Sequence, residues 1–457
     1  MKASIKKLVP KWALNAYHRA LPAVAAAYYG RPSERLVVIG VTGTNGKTTV
    51  ANMASHVLEA ADHRVGFTTT ANFSIAGKER LNDTKMTMLG RGRLQKMLAD
   101  MVRAGCNYAV IETSSEGIAQ NRHLDIEYDV AVFTNLTPEH IESHGSYEAY
   151  KEAKGRLFSG LSERPRKIIA DCEIPKAIVV NLDSPEAGYF LAFAADQKFG
   201  FTCNAVGEID GVETVVASDI DLQPHGSSFV VRGQRFDLRL PGLFNVENAL
   251  AAIAVGLSQG VGLAEASRGL AALWGVPGRM EFIDAGQPYK ALIDYAPEPE
   301  SLRRLYEALL MHPRRRTVHV LGSAGGGRDR ARRPILGSIA ARNADVVIVT
   351  NEDPYDDDPR EIMEQVAAGA RDEGKRDGEN LFIIEDRRAA LDKAVSLAQE
   401  GDLVLATGKG AEQAICTAHG GKMPWDERDE LRAAIQRGFR ARRNSEKVNE
   451  CEAPAAS

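Results

Sequence analysis

Short apolar runs alternate with longer stretches of helical spacing along most of the chain. LVVIG at 36–40, YAVIE at 108–112, VAVFTN at 130–135 and AIVVN at 177–181 are brief and rich in β-branched residues, and amphipathic segments separate them. Strands that alternate with helices in this way predict a mostly parallel sheet covered on both faces. From about 207 to 240 the pattern changes. SSFVVRGQRFDLRL alternates with a period of two and predicts an antiparallel ribbon. A second series of apolar runs follows Gly278-Arg279-Met280-Glu281: YKALID, TVHVLG, ADVVIVT, LFIIED and LVLATG, again separated by helical spacing. The expectation is a central P-loop-type parallel-sheet domain over 36–282 and a C-terminal Rossmann-like α/β domain over 283–441, with the boundary near 283.

The two ends read differently. The start, MKASIKKLVPKWALNAYHRALPAVAAAYYG, is basic and then apolar, but Pro22 interrupts its apolar run and it is too short to span a bilayer. It predicts a packed helical extension over 1–35, the alternative being a basic amphipathic helix on a membrane surface. The polar, aperiodic end predicts a disordered tail over 442–457.

Composition narrows the class of partner. A chain of 457 residues builds two or three domains with sizeable cores, and 44% apolar with 26% charged residues is ordinary for a globular protein. A net charge of −4 gives no electrostatic case for nucleic acid, so the expected partner is a small molecule. The five cysteines are scattered, odd in number and without a C-x-x-C pair. Neither a disulfide framework nor a zinc ribbon follows, and the chain reads as cytosolic.

The strongest local signal is TGTNGKTT at 42–49, between the first apolar run and a helical stretch. Glycines let backbone N–H groups close on an anion, a helix N-terminus favours negative charge, Lys47 reaches terminal phosphates and Thr48 offers a hydroxyl to Mg²⁺. The strict Walker spacing is not met, because the position five before Gly46 is Val41 and Gly40 falls one residue too early. The alternative is a glycine turn that only links strand to helix. Glu112 ends the strand YAVIE, His140 follows VAVFTN and Lys154 lies just beyond, so all three fall where open α/β sheets collect their chemistry. Singly they are weak signals.

Nine segments in order carry a resemblance: TGTNGKTT, IETSSEGI, FTNLTPEHIESHGSYEAYKEAKGRLF, GLFNVENALAA, GRME, DYAPEP, GRDRARRP, TNEDPYDDDP and GKGAE. Together they resemble the Mur ligases, most closely those that add the third, diamino residue of the peptidoglycan stem, over about residues 36–440. The resemblance implies ATP, Mg²⁺ and amide ligation through an acyl phosphate, with a nucleotide-sugar peptide and an amino acid as substrates. The expected protein is a cytoplasmic monomer without membrane contact. Gly43, Thr44, Asn45, Gly46, Lys47, Thr48 and Thr49 would cradle the nucleotide. Asn248, Arg279, Asp294 and Tyr295 match positions that close over it, so that domain closure would assemble the site. Thr48, Glu112, His140 and Lys154 match the metal set, with Lys154 the lysine that is carbamylated in the family. Lys47, His140 and Lys154 are the implied catalytic residues. Thr87, Ser114, Ser115 and Arg122 align with contacts to the acceptor peptide.

Departures from the pattern bear on the substrate. Family members carry a uridine-nucleotide domain ahead of the ATP loop, and here the loop begins at Thr42, so that domain is expected to be absent or shrunk. Glu116, Pro297 and Ala411 stand where the family has histidines. On the amino-acid side, Arg328 and Arg330 are candidate anion ligands of the GGGRDRARRP run, the alternative being a solvated helix start. Where diaminopimelate-adding members have D-N-P-R, this chain has Glu352-Asp353-Pro354-Tyr355, followed by Asp356, Asp357 and Asp358. Tyr355 cannot supply a bidentate cation. With Gly408 and Glu412 of GKGAE, the acidic pocket is expected to prefer lysine or ornithine over meso-diaminopimelate. Alternatively the aspartates are a solvated loop or helix cap, and Arg387, Arg388 or Arg330 replaces the missing cation.

Overall fold

The computed structural model describes residues 21–139, 141–205 and 207–452, with backbone only for 141 and 441–452. The chain divides into two compact units, the first ending at Val276 and the second beginning at Pro277. Residues 21–28 are helical, and Pro32–Arg35 forms a short 3-10 turn that leads into the first strand. The rest of the expected N-terminal extension, 1–20, lies outside the described residues.

The first unit is built on a nine-stranded sheet. Its spatial order is Glu213–Val216, Gln197–Thr202, Ala177–Asn181, Val130–Phe133, Val37–Thr42, Tyr108–Glu112, Val65–Thr68, Asn72–Ile75 and Lys78–Leu81. Pairing is parallel from Glu213–Val216 to Val65–Thr68, and the last two strands return as antiparallel partners. Both faces are covered. Val37, Ile39 and Val41 point into one core with the Lys47–Glu59 and Leu243–Ser258 helices, while Leu36 and Val38 join Phe133, Leu157 and Phe158 in the other. That alternation, buried on both sides, is why the strand reads as a continuous apolar run. Gly40 serves this packing: a Cβ there would lie 2.8 Å from the Tyr128 ring. The glycine that falls one place too early for a phosphate loop is thus a glycine of close approach to the core.

Asp129 clamps the opposite end of the sheet. Wholly buried, it accepts hydrogen bonds from the Val38 N–H (2.8 Å) and from the Nζ of both Lys167 and Lys176. Lys167 also donates to the carbonyls of Ser33 (2.8 Å) and Leu36 (2.7 Å). The alternating segment folds as the antiparallel ribbon Ser218–Gln223, Gly226–Val231 and Gln234–Leu238, with Phe229 stacked on Phe236.

The second unit has a six-stranded sheet of order Glu281–Phe282, Lys290–Asp294, Leu403–Thr407, Thr317–Leu321, Val346–Thr350 and Leu381–Ile384. All its pairs are parallel except the first. Because Glu281–Phe282 pairs with Lys290–Asp294, the expected boundary near 283 falls inside this unit. The final helix, Glu427–Glu452, runs on through the stretch expected as a disordered tail from 442. That stretch has no Gly or Pro before Pro454, and a helix already nucleated on a packed segment propagates through polar residues at little cost. Residues 453–457 lie outside the described residues.

Candidate active site

In the first unit the loop after the Val37–Thr42 strand turns on two glycines. Gly43 (φ 147°) and Gly46 (φ 84°) hold backbone angles that L side chains rarely adopt. A Cβ on Gly43 would lie 1.9 Å from Thr134 Oγ1, and one on Gly46 2.3 Å from Asn248 Oδ1. Glycine is therefore required twice, and Asn248 sits directly against the loop. The loop is pinned from the neighbouring strand end: Thr44 N donates to the Asn135 carbonyl (2.9 Å), Asn45 N to Asn135 Oδ1 (2.9 Å), and Thr134 Oγ1 to the Asn45 carbonyl (2.6 Å). Thr44 Oγ1 shares a hydrogen bond with the Tyr150 hydroxyl at 3.1 Å. Lys47 opens the helix and donates from Nζ to the Thr44 carbonyl at 2.7 Å.

Thr48, in the first helical turn, meets the end of the Tyr108–Glu112 strand: its hydroxyl donates to Glu112 Oε2 at 2.8 Å. Thr70 completes this cluster through its N–H on Glu112 Oε2 (2.7 Å) and its hydroxyl on Glu112 Oε1 (3.0 Å). The Thr70 hydroxyl is also 2.9 Å from that of Thr87. One hydroxyl and one carboxylate at a helix N-terminus are hard oxygen donors of the kind Mg²⁺ takes, and Mg²⁺ needs only one or two from protein because it keeps waters and binds phosphates. Among the described residues no group of three or more His, Cys, Asp and Glu is placed to hold a metal ion.

Lys154 is the other unusual group. Its side chain is wholly buried, with Nζ donating to the Gly43 carbonyl at 2.8 Å and lying 4.3 Å from the centre of the Tyr150 ring. Burial, and then the nearby Lys47 charge, hold its pKa well below the ordinary lysine range, with Glu139 opposing. His140 lies outside the described residues. Ser114 caps the short Ser115–Ala119 helix, its hydroxyl accepting from Gly117 N (3.2 Å), while Ser115 Oγ lies 3.2 Å from His144 Nε2. Arg122 donates to the Met88 carbonyl (2.5 Å) and to Gln120 Oε1 (2.7 Å).

In the second unit Asp294 is buried and accepts from Met280 N (2.7 Å) and Ala296 N (2.8 Å). Burial raises its pKa, against the pull of Arg279. The Arg279 guanidinium lies 4.4 Å from the centre of the Tyr295 ring. Gly408 N donates to the Tyr295 carbonyl (2.9 Å), and a Cβ on Gly278 would strike Ala411 N at 2.1 Å, so the 278–281 turn packs on the GKGAE loop.

The remaining amino-acid-side residues separate into two groups. Tyr355 sits at φ 52° with its ring against Gly326, where a Cβ would come within 2.6 Å of it, and burial raises the pKa of both Tyr295 and Tyr355, with the Arg328 charge opposing. Arg330 instead forms an exposed pair with Glu361 at 3.6 Å. Arg387 is committed to Glu427 (Nη2 to Oε1, 2.7 Å) and to the carbonyls of Asn351 and Thr407, and Arg388 pairs with Glu430. Asp356 Oδ1 accepts from His419 N, Asp357 pairs with Arg333 (3.4 Å), and Asp358 caps the Pro359–Asp372 helix. Thr70, Asn135 and Tyr150 were not singled out from sequence. Only FTN, just before the resembling segment's Thr-Pro, offered a signal for Asn135; Thr70 had none, because its contact depends on strand order.

A glycine turn between a parallel strand and a helix, with a lysine, a hydroxyl and a facing carboxylate, defines a nucleoside-triphosphate-using α/β enzyme. The model of the Mur ligase middle domain matches residues 41–256, and that of the Mur ligase glutamate ligase domain matches 278–410. A UDP-N-acetylmuramyl-tripeptide synthetase of Roseiflexus sp. (strain RS-1) is 40% identical over 422 residues, 91% of this chain and 82% of that protein. A UDP-N-acetylmuramoyl-L-alanyl-D-glutamate–2,6-diaminopimelate ligase of Geobacillus thermodenitrificans (strain NG80-2) is 36% identical over 401 residues, 86% and 78% of the two chains. A solved structure of a ligase of the latter name superposes with a TM-score of 0.55 at 30% identity, covering 88% of this chain and 79% of that one. The chain belongs to the Mur ligase family, whose members are ATP-dependent, ADP-forming ligases that use Mg²⁺. No helix among the described residues is long and apolar enough to cross a membrane.

Proposed function

We propose that this protein adds a diamino acid to the peptide carboxylate of a UDP-N-acetylmuramoyl peptide in peptidoglycan biosynthesis, working as a monomer in the cytoplasm. The observation that carries the reading is the Thr48–Glu112 oxygen pair at the head of the glycine loop, with buried Lys154 behind it. The names of the relatives, a tripeptide synthetase and a diaminopimelate ligase, support the same step.

A carboxylate is a poor electrophile. Its oxygen attacks the γ-phosphorus of ATP, the bond to the β-phosphate oxygen breaks and ADP leaves. The amine nitrogen then attacks the acyl carbon, the carbon–oxygen bond breaks, phosphate departs and the nitrogen loses a proton. Such transfer needs positioning and charge neutralisation more than covalent help. Lys47 and the backbone N–H groups of the loop hold phosphate charge. Thr48 and Glu112 would hold Mg²⁺, which would supply positive charge to offset that of the phosphate oxygens.

Lys154 takes part as a carbamate in this reading. Its neutral amine adds to CO₂, forming an N–C bond and releasing a proton. The product replaces a second cation beside Lys47 with an anion, which suits that position better than a buried ammonium. On the amino-acid side, Arg328, Asp353, Tyr355, Gly408 and Glu412 contact the incoming substrate. The position after Pro354 is a tyrosine, so lysine or ornithine is preferred.

The test is phosphate release from the purified full chain across UDP-N-acetylmuramoyl peptides, other carboxylate acceptors and candidate amino acids, with intact mass of the product. Turnover only with an acceptor that is not a muramoyl peptide overturns the reading. Light scattering on a sizing column tests the monomer.

A further inference from the structure

Lys409 is the best-enclosed cation of the second unit outside the Arg387 clamp, and the resemblance assigned it nothing. It sits in the turn after the Leu403–Thr407 strand, between Gly408 (φ 100°) and Gly410 (φ 51°), and its side chain is wholly buried. Nζ donates to Asp353 Oδ1, Glu412 Oε2 and the Ala414 carbonyl, each at 2.9 Å. Those acceptors match the three donors of an ammonium, an arrangement that the planar fork of arginine cannot reproduce.

The cluster reaches further through its acceptors. Asp353 Oδ1 also accepts from Cys416 N (2.7 Å), and the Asp353 carbonyl accepts from Gly325 N (2.8 Å). One buried nitrogen thus ties the 408–412 turn to the 351–355 segment and to the 414–417 strand, and through Asp353 to the glycine-rich loop that leads to Arg328. Two carboxylates share this one ammonium, so its loss would leave both without the cation that holds them together.

We infer that Lys409 is a positioning residue of the amino-acid site: it sets Asp353 and Glu412 in place to receive the substrate ammonium. The inference rests on the placement of Asp353 and Glu412 at that site under the proposed function. A buried ion cluster can also serve stability alone. The two roles differ in what they move: stability alone changes the melting temperature, whereas positioning changes the KM for the amino acid.

The experiment uses the full chain, saturating ATP and acceptor, and lysine as the varied substrate. Lys409→Met is expected to raise the KM for lysine by about tenfold or more, as when one partner of a buried charge pair is removed, with the KM for ATP within about twofold. Asp353→Asn alone is expected to raise the KM for lysine as well. The double variant no longer buries an Asp353 carboxylate stripped of its ammonium and is expected to recover part of the loss, while Lys409→Arg is not. An unchanged KM for lysine in Lys409→Met, or a double variant no better than the single one, overturns the inference. Should Lys409→Met not fold, Asp353→Asn decides, and an unchanged KM there overturns it equally. A wild type that ligates no diamino acid overturns the functional reading and the inference with it; a wild type that does so while the variants keep its KM overturns the inference alone.

Discussion

Thr48 Oγ1 donates a hydrogen bond to Glu112 Oε2 at 2.8 Å, joining the first turn of one helix to the end of a strand 64 residues later. The Val37–Thr42 and Tyr108–Glu112 strands are parallel neighbours, with Val41 opposite Glu112, so the carboxylate is delivered beside the loop by register and not by sequence proximity. Glu112→Gln keeps the shape and removes the charge. ADP release is expected to fall by about 10-fold to 100-fold and to need more Mg²⁺, with an unchanged melting temperature. A Mg²⁺ titration of ADP release that overlays the wild type rejects the metal assignment.

Lys47→Ala is expected to lower ligation by about 100-fold or more, because under the proposed function its charge acts on phosphate oxygens. The variant should fold normally, since Lys47 is only half-buried and its contact with the Thr44 carbonyl is local. Substantial turnover in a steady-state assay removes the ATP-loop assignment.

For Lys154 the expected signature is dependence on bicarbonate. Carbamate formation needs the neutral amine, which burial and Lys47 favour, and acid reverses it. Activity in CO₂-free buffer should decline as pH falls and return on adding bicarbonate, and mass spectrometry or ¹³C NMR of the labelled protein should show the adduct. Full activity of Lys154→Ala would sink this idea.

Tyr355 bears on which amino acid is added. Its ring packs on Gly326, and arginines 387 and 388 are committed to Glu427 and Glu430. The Arg328 charge acts on both Tyr295 and Tyr355, opposing the effect of their burial. Wild type is expected to favour lysine or ornithine, and Tyr355→Arg to shift kcat/KM toward meso-diaminopimelate. Diaminopimelate winning in the wild type, or no shift in the variant, rejects the model.

Glu352 supplies a pH effect on stability. Burial pushes its pKa up to about 7, Arg332 opposing, and its Oε2 has no hydrogen-bond partner among the described residues. The folded chain therefore holds a proton between the ordinary value of 4.5 and about 7 that the unfolded chain has lost. Stability from this group is present at low pH and is lost as pH rises through that window. Glu352→Gln should gain on the wild type between pH 5 and pH 8, by up to about 3 kcal/mol. Parallel urea denaturation curves at the two pH values, with no change in the difference, contradict it.

Much of the fold was legible in the residues because its signals are local. YAVIE and AIVVN become the strands Tyr108–Glu112 and Ala177–Asn181 without adjustment, since a short β-branched run between helices has one low-energy use in an α/β sheet. TGTNGKTT likewise specifies its turn, because Gly43 and Gly46 take angles that other residues resist. The strands Val65–Thr68 and Asn72–Ile75 were not read out, being only four residues each, with no long apolar run to mark them.

What the sequence alone determined, then, is the alternation of strands and helices, the glycine turn of TGTNGKTT and the membership that nine ordered motifs carry. Only the tertiary structure decided the partners. Asp129 meets Lys167 and Lys176, Arg387 meets Glu427, Lys409 lies between Asp353 and Glu412, and Thr70 closes on Glu112. Apolar periodicity and glycine angles are properties of neighbouring residues. A buried charge chooses its counter-charge from whatever strand order and register bring within about 3 Å, and those are set by the packing of the whole sheet.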